Sequence, residues 1–390
     1  MDKNIYLDII GKKHSLNDTL LNHPPNGYQV IYKDNWQDDL TQKFCKFDML
    51  YDFQKKILSK FIPINLYKSY LEKNKRIPDN TVLTFSSGHP IFRKERWIVD
   101  LEFVTHLCGY NRGHFNRHKR TIEKLLDSDY CKKIMPWTNA GATTILNTFD
   151  SKKIQNKVET VYLAVPQKTF TKTYNKDKLS LYFVGSQNIP KDFDIKGGKE
   201  VLRSFEILNK IYKNLELNIR SYVPESLKRK YSRLENVHIY NEILPWDHLE
   251  NLFKNSDIFL FPSHNTPGLI FLDAMSYELP IITTDVWANS EMVGDGVNGF
   301  LVQKSNSIKY FNENLIPMWS EQNSLNLIKN HVDLKVINDI VEKTATLIED
   351  VNLRKKMGKN GRKMIDTGKF SLKIRNNKLK KIFDDALKTI

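Results

Sequence analysis

The sequence predicts an α/β protein of two domains, each built on a parallel sheet, and two observations support this. Short apolar segments of strand length alternate with segments of helical apolar spacing along most of the 390 residues. This alternation is typical of βαβ units, whose strands are buried on both faces of a parallel sheet. The chain is also long for one domain, since domains usually hold about 100–200 residues. We interpret the polar segment 167–179 as the linker between the halves.

In the first half, the apolar and turn patterns predict short strands and two helices. The predicted strands are Asn4–Ile10, Tyr28–Tyr32, Thr81–Ser86, Trp97–Leu101, Lys133–Trp137 and Val158–Val165. One helix is predicted over Phe53–Leu71, where apolar residues recur at helical spacing, and another follows Lys133–Trp137 as far as about Thr148.

The second half repeats the alternation in a more regular form. Its predicted strands are Leu179–Val184, Leu215–Ser221, Val237–Tyr240, Ile258–Pro262 and Pro280–Thr284. Its predicted helices are Gly198–Tyr212, His248–Asn255 and Gly268–Tyr277. Nearly continuous apolar strands of this kind indicate a sheet that is covered on both faces.

The composition excludes several classes of protein. Hydrophobic residues make up 40% of the chain, which excludes a wholly disordered protein, and no apolar run approaches the ~18 residues of a membrane span. The N-terminus is interrupted by charge too early for a signal peptide. Cys45, Cys108 and Cys131 have neither disulfide nor metal-site spacing, which indicates reduced thiols in a cytoplasmic protein.

Positive charge is concentrated in two parts of the chain. The net charge is +15 overall and +11 over residues 1–180, whereas residues 241–300 carry a net −8. Residues 354–381 contain 12 basic residues and one acidic residue. Such basic surface favours an anionic partner, which could be nucleic acid, phospholipid headgroups or an acidic glycan. For the C-terminal segment, a solvated helical face is an equally simple interpretation.

The segment 257–302 contains the pattern of a ligand site. A buried strand ends at Pro262, a polar loop follows, and a helix begins near Gly268. Ligands of open α/β sheets bind beyond the carboxyl ends of the strands, and free N–H groups at a helix start bind phosphate. Asp273, on that helix, lies within reach of a pair of vicinal hydroxyls. A phosphate beside a diol describes a nucleotide.

This segment resembles the donor-site signature of the retaining GT-B glycosyltransferases of family four. The matching positions are Pro262-Ser263, Asn265, Gly268 and Asp273, followed by Thr284-Asp285, Glu291 and Asn298–Val302. Upstream, Tyr182–Gly185 and Lys196-Gly197 match the family's first strand and loop, and Gly361-Arg362 and Phe370-Ser371 match its last segment. The resemblance covers about residues 158–385.

The resemblance implies a GT-B fold, in which two Rossmann-like βαβ domains face a central cleft. We expect an acceptor-side domain over residues 1–170, a donor domain over 178–370, and a C-terminal helix over 371–390 that returns to the N-terminal domain. The implied activity transfers a hexosyl-type sugar from a nucleotide-diphosphate sugar to a glycan or lipid-linked acceptor.

The resemblance also implies roles for individual residues. Donor binding is expected from Gly185, Lys196, Gly268, Leu269, Asp273 and Glu291. Lys196 and the amides of Gly268 and Leu269 would stabilise the departing diphosphate, Asn265 would orient the sugar, and Asp273 would hold the ribose hydroxyls. No metal or other cofactor is expected, since the sequence has no paired-carboxylate loop suited to Mg²⁺.

The chain departs from the family pattern at three positions. Asn265 stands where the family has Glu, Asp273 is shorter than the usual second acid, and Ser186 replaces a basic residue that binds the diphosphate. Arg220 or Lys191 could supply the missing cation. The departures are compatible with altered donor choice, or with a degenerate protein that binds a sugar nucleotide or glycan without turnover.

Acceptor-side residues are predicted from the first half. His89 follows a predicted strand, and Asp100 and Glu102 lie at the end of another. The family often has a His at the corresponding strand end, a place that Glu102 occupies here. We expect Glu102 or His89 to position or activate the acceptor hydroxyl. The alternative is a loop histidine, with acids that pair with Arg93, Lys94 or Arg96.

Two further readings compete with a transferase. The charge suggests a nucleic-acid-binding protein, but the basic residues form no recognisable reading module, and we expect no nucleic acid partner. A GT-B epimerase shares the implied fold but needs catalytic acids that the sequence does not supply. The predicted location is the cytoplasm, with peripheral contact at the anionic inner face of the membrane.

Overall fold

A computed structural model describes residues 2–10, 13, 15–32, 62–174, 178–186, 192–266, 268–319 and 321–388. The chain divides into two compact units. The first comprises Met1–Leu163, Asn314–Ile316 and Leu372–Ile390, and the second comprises Ala164–Glu313 and Pro317–Ser371. Cys45, Lys191 and the predicted helical residues 53–61 lie outside the described residues.

The first unit is built on a sheet of five parallel strands in the order β2-β1-β3-β4-β5. These strands are β1 (Lys3–Ile9), β2 (Tyr28–Ile31), β3 (Thr81–Ser87), β4 (Trp97–Leu101) and β5 (Cys131–Pro136). The helices among them are α1 (Ser15–Asn22), α2 (Ile64–Leu71), α3 (Arg112–Asp127), α4 (Asn139–Leu146) and α5 (Lys152–Lys157). Short 3₁₀ helices span Glu72–Asn74 and Val104–Cys108.

The C-terminal helix α15 (Leu372–Lys388) completes the core of the first unit. Its apolar face buries Leu379, Ile382 and Phe383 against the strands. The Phe383 ring lies edge-on to the rings of Tyr28 and Phe85, at centroid distances of 5.0 and 6.3 Å. The last segment of the chain therefore returns to the N-terminal domain, as the resemblance predicted.

The second unit contains a sheet of six parallel strands in the order β11-β10-β9-β6-β7-β8. The strands are β6 (Leu179–Val184), β7 (Leu215–Arg220), β8 (Val237–Tyr240), β9 (Ile258–Leu260), β10 (Ile281–Thr284) and β11 (Gly299–Val302). The helices are α6 (Asp192–Ile195), α7 (Gly198–Ile211), α8 (Glu225–Tyr231), α9 (Trp246–Asn255), α10 (Ile270–Ser276), α11 (Asn289–Met292), α12 (Gln322–Asn330), α13 (Leu334–Glu349) and α14 (Val351–Asp366). Two parallel sheets with intervening helices confirm the predicted α/β class.

One predicted strand is wrong. Val158–Val165 runs beside β5 but pairs with it through a single bridge, between Val158 and Ile134. Two backbone bonds, from Glu159 to Ile134 and from Val161 to Pro136, hold the segment in place without making a ladder. The segment was predicted as a strand from its apolar composition, and composition does not show whether a segment forms a ladder of hydrogen bonds.

The polar segment that follows is packed into the second unit. Lys172 is buried, and its ammonium group donates hydrogen bonds to the carbonyls of Lys254 and Ser256 at the end of α9. Burial lowers the pKa of Lys172 to about 8. Its donors thus satisfy carbonyls that a helix end leaves without intrahelical partners.

Two further features concern the chain as a whole. None of the helices in the described residues is long and apolar enough to cross a membrane. Cys108 and Cys131 are buried free thiols, as predicted.

Phe383 tests the contribution of the C-terminal helix to the first unit. Replacing it with Ala is expected to lower the free energy of unfolding by about 3–5 kcal/mol, because a fully buried ring leaves a cavity. Urea denaturation followed by circular dichroism measures the change. Lys381→Ala, at an exposed position of the same helix, is the control and should change stability by less than about 0.5 kcal/mol.

Candidate active site

Lys196 is positioned by a glycine that follows it. Gly197 has φ +84°, and a Cβ there would clash with the carbonyl oxygen of Pro262. Only glycine tolerates both this conformation and this approach, so the turn before α7 rests directly on the segment after β9. Lys196 consequently lies beside Asn265, and its Nζ donates a hydrogen bond to Asn265 Oδ1 at 3.1 Å.

Asn265 is held in one orientation by two donors. Besides Lys196, the Ser263 hydroxyl donates to Asn265 Oδ1 at 2.6 Å. The Ser263 carbonyl in turn accepts a hydrogen bond from the Thr284 hydroxyl at the end of β10. With its oxygen occupied, the amide nitrogen of Asn265 finds no acceptor among the described residues, so its N–H groups are available to a ligand hydroxyl.

His264 anchors this loop, a role that sequence reasoning missed. The ring is 2% exposed, with Nε2 at 3.1 Å from Glu200 Oε1 and Nδ1 at 3.0 Å from the Tyr310 hydroxyl. Its backbone N–H donates to the Ile195 carbonyl at 2.8 Å. His264 therefore ties the loop to α7 and orients its neighbour Asn265. No local pattern reveals this, because Glu200 and Tyr310 are distant in sequence.

Asp273 on α10 is a half-buried carboxylate with no hydrogen-bond donor among the described residues. Burial raises its pKa to about 6, and the charge of Lys168 only partly opposes the effect. No described residue donates a hydrogen bond to this carboxylate, although buried polar groups normally have a partner. A ligand that brings hydroxyl donors would satisfy it.

Three other residues predicted to bind the donor lie at or near the starts of the helices α10 and α11. Gly268 is exposed, has φ +62°, and faces open space where a Cβ would be. Leu269 is the N-cap residue of α10. Glu291 lies on α11, and its backbone carbonyl accepts a hydrogen bond from Lys369.

Gly185 follows β6 and is in tight contact with the end of β7. A Cβ on Gly185 would clash with the Ser221 hydroxyl, and the Gly185 N–H donates to the Arg220 carbonyl at 2.8 Å. The Arg220 guanidinium donates through Nη1 to the Gly185 carbonyl at 3.2 Å. Glycine is therefore required here by packing between two loops.

In the first unit, His89 lies in a buried ion-pair network. It is 1% exposed, with Nε2 at 3.4 Å from Asp8 Oδ1 and Nδ1 at 3.1 Å from the Ser87 carbonyl. Arg93 also pairs with Asp8, and with Glu95 at 2.9 Å. Burial alone would raise the pKa of Asp8, but the hydrogen bond from His89 and the charge of Arg93 hold this pKa below its usual range. Both ring nitrogens of His89 are thus occupied by the protein.

Asp100 and Glu102 lie near His89 in the chain but have different surroundings. Asp100 Oδ2 accepts a hydrogen bond from Trp137 Nε1 at 3.1 Å, whereas its buried Oδ1 has no hydrogen-bond partner in the part of the chain that the structure describes. Burial raises the pKa of Asp100 to about 7, against the hydrogen bond from Trp137. The Glu102 side chain hydrogen-bonds Tyr110.

His106 is a neutral ring that lies beside Glu102 and Tyr110. Burial lowers its pKa to about 3, so the imidazole stays uncharged at neutral pH. Its Nδ1 accepts a hydrogen bond from the Glu102 N–H at 3.3 Å, and its ring stacks on Tyr110 at 4.4 Å. Within the described ranges, no group of three or more His, Cys, Asp or Glu side chains is placed to hold a metal ion.

Comparison with known families and curated proteins identifies the second unit. Residues 178–320 match the family model described as Glycosyl transferases group 1. The capsular polysaccharide biosynthesis glycosyltransferase CapM of Staphylococcus aureus is 28% identical over 221 residues, 54% of this chain and 47% of CapM. An uncharacterised glycosyltransferase of Methanocaldococcus jannaschii is 24% identical over 169 residues, 41% of this chain and 39% of that protein. The chain thus spans less than half the length of these curated relatives.

Solved structures extend the likeness beyond that domain. A glycosyltransferase from Rickettsia africae superposes with a TM-score of 0.61 at 12% identity, covering 100% of both chains. HepE of Anabaena, solved with UDP and glucose, gives 0.60 at 12% identity over 98% of this chain and 100% of that one. TarM gives 0.56 at 16% identity, over 81% of this chain and 57% of TarM. These structures confirm the predicted GT-B fold, and the family match confirms the resemblance.

The raised pKa of Asp273 predicts a specific pH dependence of stability. A folded-state pKa near 6 exceeds the ordinary value of 3.8, so the folded state binds more protons across this window and loses stability as pH rises through it. Asp273→Asn removes this loss and should raise the free energy of unfolding above pH 7 by about 1–2 kcal/mol, with no gain at pH 3.

Urea unfolding of both proteins from pH 3 to pH 8 measures this difference. Glu242→Gln, at an exposed position, is the control and should reproduce the wild-type pH profile. A constant difference between Asp273→Asn and wild type at every pH would contradict the assignment.

Proposed function

We propose that this protein is a retaining glycosyltransferase that moves a sugar from a nucleotide-diphosphate sugar to a glycan or lipid-linked acceptor. The observation that carries the proposal is the arrangement of Lys196, Asn265 and Asp273 within the segment that matches the family. A cation suits a diphosphate, an amide whose N–H groups have no acceptor among the described residues suits a sugar, and a carboxylate without a donor among them suits a ribose.

The proposed reaction breaks the bond between the anomeric carbon and the diphosphate oxygen. The acceptor oxygen forms its new bond to that carbon on the same face, and its proton passes to the departing diphosphate. Lys196 and the backbone amides of Gly268 and Leu269 would stabilise the charge that develops on the leaving group. No metal or other cofactor is required in this proposal, since the cation is a lysine.

Donor recognition divides among the remaining residues. Asn265 would donate to a sugar hydroxyl through its amide N–H groups, which no described residue accepts. Asp273 would accept hydrogen bonds from the ribose hydroxyls, which would supply the donors that no described residue provides. Gly185 and Glu291 would shape the neighbouring loops around the phosphates.

On the acceptor side, Glu102 remains the proposed partner of the acceptor hydroxyl, and Asp100 is added to it. Asp100 has a buried oxygen that no described residue contacts by a hydrogen bond, and a pKa near neutrality, which suits a group that accepts a hydrogen bond from a hydroxyl. For His89 we propose a positioning role, because its ring is enclosed with Asp8 and Arg93.

The relatives support the substrate classes in the proposal. CapM is described as acting in capsular polysaccharide biosynthesis. A TarM mutant was solved with UDP and α-GlcNAc-glycerol, and HepE was solved with UDP-glucose. Those findings concern those proteins, and they make nucleotide sugars and glycans the first compounds to assay here.

Lys196→Ala tests the proposed leaving-group site. Loss of the cation should reduce sugar transfer about 10²–10³-fold, by analogy with removal of one oxyanion donor. A radiolabelled-donor assay measures transfer, with Lys210→Ala, an exposed lysine of α7, as the control. Wild-type turnover by Lys196→Ala would contradict the site.

The same assay separates an active transferase from a degenerate binding protein. Donor consumption by wild type, as transfer or as slow hydrolysis, supports the enzyme, whereas nucleotide binding without consumption supports the degenerate alternative. Nuclear magnetic resonance of the product reports the anomeric configuration, and inversion would contradict a retaining reaction.

We also propose that the protein contacts an anionic membrane surface through α3. Arg117, Arg120 and Lys124 are exposed on one face of this helix and form no ion pair with any described residue. Arg120 and Lys124 border a cavity of about 1070 Å³ whose lining holds six basic and four acidic residues, so the basic residues are in excess there. Each cation near an anionic bilayer contributes about 1 kcal/mol, which suits reversible attachment.

Vesicle co-sedimentation tests this contact. Wild type should sediment with anionic vesicles, fail to do so with neutral ones, and dissociate as salt rises. Replacing Arg117, Arg120 and Lys124 together with Gln should abolish the binding. The matched control replaces Lys210, Lys356 and Lys359, three exposed lysines of the second unit, with Gln. Equal loss in both variants would indicate a net-charge effect and contradict a specific surface.

A further inference from the structure

Arg220 occupies a position from which it can replace a cation that the family pattern requires. The pattern expects a basic residue directly after Gly185, and the chain has Ser186 there. Arg220 is the last residue of β7, the neighbour of β6 in the sheet, and it pairs in register with Val184. The two strands therefore end side by side, with Arg220 next to Gly185 and Ser186.

Several contacts hold the Arg220 side chain against this loop. Its Nη1 donates to the Gly185 carbonyl at 3.2 Å, while the Gly185 N–H donates to the Arg220 carbonyl at 2.8 Å. The Tyr222 N–H donates to the Ser186 carbonyl at 3.0 Å, which ties the two loops together one step further along. The guanidinium is thus restrained at the start of the loop.

Among the described residues, the Arg220 guanidinium has one hydrogen-bond partner, the Gly185 carbonyl. No carboxylate of the described residues forms an ion pair with it, and its Nε is buried without an acceptor. Burial lowers the pKa of Arg220, as expected for a cation without a counter-ion. The planar guanidinium matches phosphate oxygens in geometry, so a phosphate would satisfy the donors that the described residues leave without acceptors.

We propose that Arg220 binds the diphosphate of the nucleotide donor in place of the basic residue that Ser186 does not supply. This inference rests on the donor-binding function proposed for the second unit. Arg220 would contact the diphosphate from the end of β7, and Lys196 from the turn before α7. Two cations would then share the negative charge that develops as the sugar–phosphate bond breaks.

Calorimetric titration of the full-length chain tests the inference. UDP is the first probe, with GDP, ADP and dTDP tested in the same way, and UMP compared with whichever diphosphate binds. Arg220→Gln should weaken diphosphate binding at least tenfold and UMP binding less. Arg220→Lys, which keeps the charge, should retain part of the affinity. Arg203→Gln, an exposed arginine of the same unit, is the matched control and should bind as wild type does.

A double variant separates a direct role from a structural one. Adding Ser186→Arg to Arg220→Gln restores a cation directly after Gly185. The double variant should bind the diphosphate at least threefold more tightly than Arg220→Gln does. Melting temperatures of all variants are measured alongside. A lower melting temperature for Arg220→Gln without rescue by Ser186→Arg would overturn the inference and assign Arg220 a structural role.

The outcomes distinguish this inference from the proposed function. If wild type binds a nucleoside diphosphate and Arg220→Gln binds it equally well, the inference is wrong and donor binding stands. If the loss is equal for diphosphate and UMP, Arg220 contacts the nucleoside and the inference is also wrong. If wild type binds none of the four diphosphates, the proposed donor function fails, and the inference fails with it.

Discussion

The close approach of Gly197 to the Pro262 carbonyl is the constraint on which the donor side depends. It brings the turn before α7 onto the segment after β9, and this places a lysine and an asparagine from distant parts of the chain within hydrogen-bond distance. Any side chain at Gly197 would separate them. His264 acts with this contact, because its bonds to Glu200 and Tyr310 hold the same loop against α7 from the other side.

The two units use the carboxyl ends of their parallel strands in different ways. In the second unit, two polar groups near these ends lack partners among the described residues, namely the Asp273 carboxylate on α10 and Nε of Arg220 at the end of β7. In the first unit, most are satisfied internally, since Asp8, His89 and Arg93 form a buried network. An unsatisfied group is costly to fold and is best explained by a ligand, whereas a satisfied network rigidifies its surroundings. Asp100, with one oxygen lacking a partner, is the exception in the first unit.

The fold was largely predictable because its signals are local. Strands such as β6 and β7 were predicted to within one residue, since continuous apolar runs have few other interpretations. Val158–Val165 was misread for the same reason, because a buried apolar segment can lie beside a sheet without completing a ladder. The donor motif could also be recognised in the sequence, since its loop after Pro262, Gly268 and Asp273 lie close together along the chain.

The sequence by itself therefore determined the α/β class, most of the strands and the segment that carries the donor motif, whereas several helices, α3 (Arg112–Asp127) among them, were not predicted. Only the tertiary structure decided that His89 is enclosed, that His264 anchors the motif loop, and that Arg220 lies beside Gly185. These contacts join residues from different strands and helices, and no periodicity or spacing along the chain encodes them. Whether a polar side chain is left for a ligand depends on which distant groups the folded chain brings to it.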